Sequence, residues 1–432
     1  MSNRRNDVRN VLVAVALLSA TACSGGNAAS TGPATEQLDP ESGSAPAVSN
    51  GPDGSASARA ATDLVMWTDA DRLDVLRATA ATFTGATGVD VVVEEVDIDD
   101  VYGAILDSGP DGTLPDVFIG RHVWAEELVV GEHVVPLDLD AARDRFLDVA
   151  LTGFNVGGRL YAVPASIEAM AMYRNTDLVA AAPAGWDGLV AACDAVDVDT
   201  CVAVPGGSGD PDAYAQFVFL SAFGGFVFGY DDASGFDEAV VGVDAAATID
   251  GAAFLRQQVD AGVVVDTGYA EAKQRFLDGR AAFWLSGPWE LDELAATDVP
   301  FGVSVIPRIS DGPARPFVGA TGWYVSANSS QAELAESFLV DHVATDATMD
   351  AFVAAGADDS AWSAVVRSLP ETSPAHAFAV SATDGVAIPN LVAMADVWGP
   401  LGERLAQLRR GELDATAAMT AAADEIRSSA RE

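Results

Sequence analysis

The chain has 432 residues, with 64 Asp and Glu against 23 Lys and Arg and a formal charge of −41. That charge repels phosphate backbones and anionic headgroups, which excludes nucleic acid as a partner and leaves open whether the acidic surface does more than keep the chain soluble. His122, His133, His342 and His376 are scattered and the cysteines form no cluster with them, so neither a metal centre nor a cofactor is expected.

The first 22 residues read as an export signal. Arg4, Arg5 and Arg9 precede a short apolar run over 11–18, too short to cross a bilayer as a helix, and Ala20, Thr21 and Ala22 lead into Cys23. A cysteine at that place resembles the lipobox of bacterial lipoproteins, in which the thiol is acylated and becomes the new N-terminus; the alternative is an ordinary secretory signal with an incidental cysteine. Removing residues 1–22, with their three arginines and Asp7, moves the formal charge from −41 to −43. Residues 23–60 are rich in Ser, Gly, Ala, Thr and Pro and hold no aromatic residue, which reads as a flexible stalk. The expectation is a monomer tethered by lipid to the outer face of the cell membrane.

The remainder, roughly 370 residues, exceeds what one hydrophobic core serves, so two lobes are expected. Apolar runs at 63–67 and 89–96 flank an amphipathic helix over 71–83 that stops near Gly85 and Gly88, a βαβ unit with Trp67 and Thr68 at the ligand-gathering end of its first strand. Strands are expected at 116–120, 160–164 and 170–174, with a helix starting at 124–129. A second series follows: helices over 186–195, 212–223 and 245–261, a strand near 202–205, and a turn at 231–235. Runs at 276–279, 281–285 and 301–307 complete a mixed sheet; a strand at 322–326, a helix over 331–343 and a surface helix over 415–429 end the chain. This alternation is α/β. Cys193 and Cys201, close in sequence in an exported protein, read as a disulfide.

Several segments carry a resemblance to the substrate-binding proteins of ABC importers, of the maltose/maltodextrin type. They include Leu64-Val65-Met66-Trp67, Leu114-Pro115-Asp116-Val117-Phe118-Ile119, Gly158-Arg159-Leu160-Tyr161-Ala162-Val163-Pro164, Glu168-Ala169-Met170 running to Leu178, Gly279-Arg280 running through Gly287-Pro288-Trp289-Glu290, and Ile388-Pro389-Asn390. The resemblance implies a two-lobed periplasmic-binding-protein fold, two α/β lobes joined by a hinge with a sugar in the cleft. The boundaries it implies are 61–167 plus 323–369 for lobe one and 168–322 plus 370–432 for lobe two. It also implies an oligosaccharide ligand and membrane permease subunits as partners.

A pyranose offers an apolar face and a rim of hydroxyls, which suit aromatic rings and carboxylates respectively. By resemblance Trp289, Trp398 and Tyr214 match the family's stacking aromatics, the alternative being core packing. Glu168 matches a hydroxyl-accepting carboxylate, the alternative being a structural salt bridge; Asp212 is either an acceptor or a helix cap. Asp71 and Arg72 match the polar pair after the first strand, with Asp69 an alternate, and Trp67 lies beside them. The family's Asp-Arg pair after the third strand is replaced by Val123-Trp124. Trp124 then offers a further stacking face, and His122 or Arg121 a compensating polar group. This departure admits trehalose, a cyclodextrin or a longer maltodextrin, and a cationic solute stays open. An extracellular glycosidase needs two carboxylates at defined separation, and Glu168 with Asp212 is the pair available; no serine elbow, zinc-helix motif or phosphate loop is present, so no catalytic residue is assigned.

Overall fold

The computed structural model describes residues 63–107, 114–207 and 209–429. The expected signal, Cys23 and the stalk to residue 60 lie outside them.

The helix Ala70–Thr87 shows how local sequence sets the frame. Asp69 caps it, its carboxylate accepting from the Arg72 N–H at 3.1 Å, and Gly88 ends it at φ 78° with its N–H on the Thr84 carbonyl. Leu73, Leu76, Ala80 and Phe83 recur at helical spacing and are buried. This helix packs on the strand Val91–Glu95, which pairs in parallel with Leu64–Thr68. Leu64–Thr68 pairs in parallel with Val117–Arg121, which runs antiparallel to the long strand Phe317–Val325; that strand also pairs with Ala162–Ala169 and Val386–Ala387. Val117–Arg121 is buried at four of its five positions, as a continuous apolar run in a covered sheet must be.

A second sheet orders its strands Val264–Asp266, Thr200–Val204, Ala281–Ser286, Ala171–Asn175 and Phe301–Ser304. Two large hydrophobic cores go with the two sheets, and a smaller cluster around Tyr173, Phe276 and Trp284 extends the second. The architecture is α/β and two-lobed. Core membership changes between Ala169 and Met170, between Phe317 and Val318, and between Ala382 and Leu391. The helix Pro374–Thr383 lays Ala379 and Ala382 on the first core.

A small antiparallel sheet joins Arg159–Leu160 and Asn155–Val156 to the hairpin Phe228–Asp231 and Gly235–Val241, bringing residues of both cores together. Asn155 Nδ2 donates to Tyr230 Oη and the Asp232 carbonyl, both at 3.0 Å. Gly158 makes the crossing close: it sits at φ 76°, and a Cβ there would lie 2.1 Å from the Ala233 carbonyl oxygen.

Three expectations are corrected. Residues 276–279 are no strand: Phe276 and Leu277 end the helix Tyr269–Leu277 and the chain turns at Gly279. The helix over 331–343 is two pieces, Ala332–Ser337 and a wider π turn Phe338–Val343. The C-terminal helix Ala415–Ser429 is more than a surface helix, since Ala418, Met419, Ala422, Ala423 and Ile426 are buried against the helix Ala395–Arg409. Cys193 and Cys201 form the expected disulfide.

Candidate functional site

Aromatic side chains from four separate segments converge. Tyr214 stands in the first turn of the helix Ala213–Ser221, which Asp212 caps by accepting from the Ala215 N–H at 3.2 Å. Its ring lies 6.4 Å from that of Trp289 and 6.1 Å from Phe317. Trp398, on the helix Ala395–Arg409, meets Phe317 edge-on at 5.7 Å, and Phe217 stacks on Phe317 at 3.6 Å. Trp289 follows the turn Gly287-Pro288 at the end of the strand Ala281–Ser286. Gly287 must lack a side chain, because a Cβ would sit 2.0 Å from the Trp289 ring folded over it. Tyr214, Trp289 and Trp398 all keep part of their surface open to solvent. Phe317, which carries the group from beneath, had no signal in the sequence beyond its place at a crossing between cores.

The polar groups expected beside them sort differently. Arg72 is only 5% exposed and is held on two sides, its guanidinium 2.9 Å from Asp69 and 2.6 Å from Asp359. It organises two carboxylates rather than offering a free donor. Asp359 is exposed and was not foreseen, since no motif surrounds it. Asp71 is exposed in the first turn of its helix. Trp67 is half-buried and donates from Nε1 to Glu94 at 2.9 Å on the adjoining strand.

Glu168 stands at the end of the strand Ala162–Ala169, opposite Gly319. Its side chain reaches solvent, yet protein walls it at longer range, the situation of a carboxylate in a cleft. Burial, then the charge of Asp359, push its pKa up to about 7 against the pull of Arg121. Among the described residues no hydrogen bond or ion pair engages the Glu168 side chain. Tyr214 feels both Glu168 and Asp212, which with burial hold its phenol well above its ordinary range. Burial likewise raises Asp212. The charges of Glu168, on the strand Ala162–Ala169, and of Asp212, at the start of the Tyr214 helix, thus both act on the Tyr214 hydroxyl.

Two expectations are revised by the geometry. His122 is 1% exposed: Nδ1 accepts from the Ala320 N–H at 3.0 Å, so Nε2 carries the proton and donates to the Ile388 carbonyl at 3.0 Å. Burial lowers its pKa to about 4, and the Ala320 and Ile388 backbone groups take both its ring nitrogens, which leaves it no free polar atom for a ligand. Trp124 is half-buried, tilted against Tyr102 at 5.0 Å, with the Arg121 guanidinium 5.8 Å from its ring centre. Its faces are therefore partly occupied by the chain itself.

A cavity of about 560 Å³ is lined by residues such as Asp148, Phe228, Tyr230, Arg315 and Val386, and none of Tyr214, Trp289 or Trp398 borders it. Among the described residues there is no cluster of His, Cys, Asp or Glu arranged for a metal ion, and no helix long and apolar enough to cross a membrane.

Two α/β cores, three crossings between them and an open aromatic group near the unpaired side chain of Glu168 define a binding module of the two-lobed class. The bacterial extracellular solute-binding protein model matches residues 78–368, and the chain belongs to that family. It is 26% identical over 324 residues to a maltodextrin-binding protein of Bacillus subtilis (strain 168), covering 71% of this chain and 75% of that one. It is 23% identical over 397 residues to a galactooligosaccharide-binding protein of the same organism, covering 87% and 91%. The fold matches a cyclo/maltodextrin-binding protein crystallised with maltotetraose, at a TM-score of 0.77 and 22% identity, over 86% of this chain and 98% of that one.

Proposed function

We propose that this protein captures an oligosaccharide, of the maltodextrin class, between its two lobes and delivers it to the permease of an ABC importer. The observation that carries the reading is the convergence of Tyr214, Trp289 and Trp398 on Phe317, with partly open rings, beside an unpaired Glu168. The rings suit the apolar faces of successive glucose units, whose burial removes apolar surface from water. Glu168, Asp212 and the Asp69–Arg72–Asp359 group suit the hydroxyl rims. A sugar touching groups of both cores favours the closed arrangement by the contacts the open one lacks, and that differential affinity drives closure. Two relatives that bind sugar oligomers support the class, and their different sugars leave the linkage to experiment.

In this reading Cys23 bears the lipid that holds the protein outside the cell, residues 23–60 give it reach, and the chain binds its ligand without altering it. Hydrolysis of a permease-coupled ATP is left to a separate subunit. The test is calorimetric titration of residues 61–432 with maltose, maltotriose, maltotetraose, a cyclodextrin, trehalose and a galactooligosaccharide. Micromolar or tighter binding of a glucose oligomer is expected; binding of none of them by folded protein contradicts the proposal.

A further inference from the structure

Packing alone does not fix the plane of the Trp289 ring. Its Nε1 donates to Tyr269 Oη at 2.6 Å, and Tyr269 in turn donates to the Glu290 carboxylate. Glu290 is 1% exposed, and its second oxygen lies 2.9 Å from Lys273 Nζ, which also reaches Glu293 at 2.5 Å. Tyr269 and Lys273 stand four residues apart on the helix Tyr269–Leu277, so they share a face, and the helix start is fastened by the Tyr269 N–H on Asp210 at 2.7 Å.

The direction of each bond follows from the chemistry of the groups. An ionised carboxylate only accepts and an indole N–H only donates, so the single phenolic hydrogen of Tyr269 goes to Glu290 and its lone pair faces Trp289. Lys273 Nζ faces the second oxygen of Glu290 and leaves the first to accept from Tyr269, which keeps that order. A buried ion pair adds little net stability compared with apolar residues of the same volume, whereas one that fixes a neighbour's orientation has a use that burial alone does not supply.

We propose that Tyr269, Glu290 and Lys273 are positioning residues that hold the Trp289 ring plane for the ligand, and so set affinity without touching the sugar. The proposal rests on the stacking reading of Trp289 given above.

The test compares Tyr269→Phe, Glu290→Met, Glu290→Gln, Trp289→Phe and Trp289→Ala in the soluble chain, with maltotetraose as probe. The indole ¹H–¹⁵N signal of Trp289, identified as the one missing from Trp289→Phe, reports on the unliganded protein. In Tyr269→Phe it should move upfield and exchange faster with solvent, and Glu290→Met should move it the same way, with Glu290→Gln falling between them and wild type. Affinity for maltotetraose should fall about tenfold in Tyr269→Phe, the loss of one good hydrogen bond's worth of order. In a Trp289→Phe background, which has no N–H to hold, Tyr269→Phe should cost nothing further. An unmoved indole signal overturns the proposal. So does an equal loss in the Trp289→Phe background, which would make Tyr269 a direct sugar contact. Trp289→Ala separates the two readings: unchanged affinity there sinks the stacking role itself, while a large loss there with none in Tyr269→Phe sinks only the positioning.

Discussion

Replacing Glu168 by Gln should separate two opposite pH effects that wild type carries on one side chain. Burial and Asp359 raise its pKa from 4.5 to about 7, so the folded protein keeps this proton through a range in which the unfolded chain has released it. Stability therefore falls as pH rises from about 5 to about 7.5. The full shift corresponds to about 3 kcal/mol, and because the carboxylate reaches solvent, screening reduces the expected effect to about 1–2 kcal/mol. Ligand affinity should move the other way, since an ionised carboxylate accepts a sugar hydroxyl roughly twice as strongly as a neutral group does. On acidification from pH 8 to pH 5.5, unliganded wild type should gain stability while its affinity weakens. Glu168→Gln should exceed wild type in stability at pH 8, lose most of that advantage near pH 5, and bind with a flatter pH profile. Urea unfolding and calorimetric titration at both pH values give the four numbers. Parallel pH profiles for wild type and Glu168→Gln would refute the reasoning, since Asp358, Asp212 and Glu126, also raised by burial, titrate in both proteins.

Trp289→Ala should weaken oligosaccharide binding by about tenfold or more with the chain still folded, measured by titration beside a melting curve. His122→Ala opens a buried cavity and strands the Ala320 N–H and the Ile388 carbonyl, and should cost about 2–4 kcal/mol by urea unfolding, with sugar affinity changed little at temperatures where the protein stays folded. Arg72→Met removes the guanidinium shared by Asp69 and Asp359, which are themselves partly exposed, and should cost about 1–2 kcal/mol by urea unfolding; an effect under about 0.3 kcal/mol would show that the arginine is not holding those acids. Cys201→Ser frees a loop with a sequence separation of 8, for which chain entropy gives about 2–3 kcal/mol, checked by unfolding with and without reductant.

The first helix and the turn before Trp289 were legible in the sequence because each rests on a strong local signal, while the lobe boundaries and the aromatic group came by resemblance. The helix Ala70–Thr87 has its cap, its 3–4 spacing and its terminal glycine in one stretch, and Gly287-Pro288-Trp289 marks a turn after a buried strand. Cys193 and Cys201 are close enough in sequence to pair without knowledge of the fold. What escaped depends on tertiary placement. Nothing near Asp359 says that it will meet an arginine 287 positions earlier, and Phe317 acquires its role only where four segments meet. His122 shows the converse. A histidine beside a tryptophan after a strand looks like a ligand group, and only the positions of Ala320 and Ile388 show that both its nitrogens are already used. The run 276–279 read as a strand because Phe276 and Leu277 are apolar, yet they close a helix whose other end supplies Tyr269 and Lys273.

The central claim is capture of an oligosaccharide between closing lobes, and small-angle X-ray scattering of residues 61–432 before and after saturation with maltotetraose tests it most directly. A smaller radius of gyration with sugar, absent in Trp289→Ala at the same sugar concentration, is the predicted result. An unchanged profile from folded wild-type protein across the whole concentration range would contradict the account.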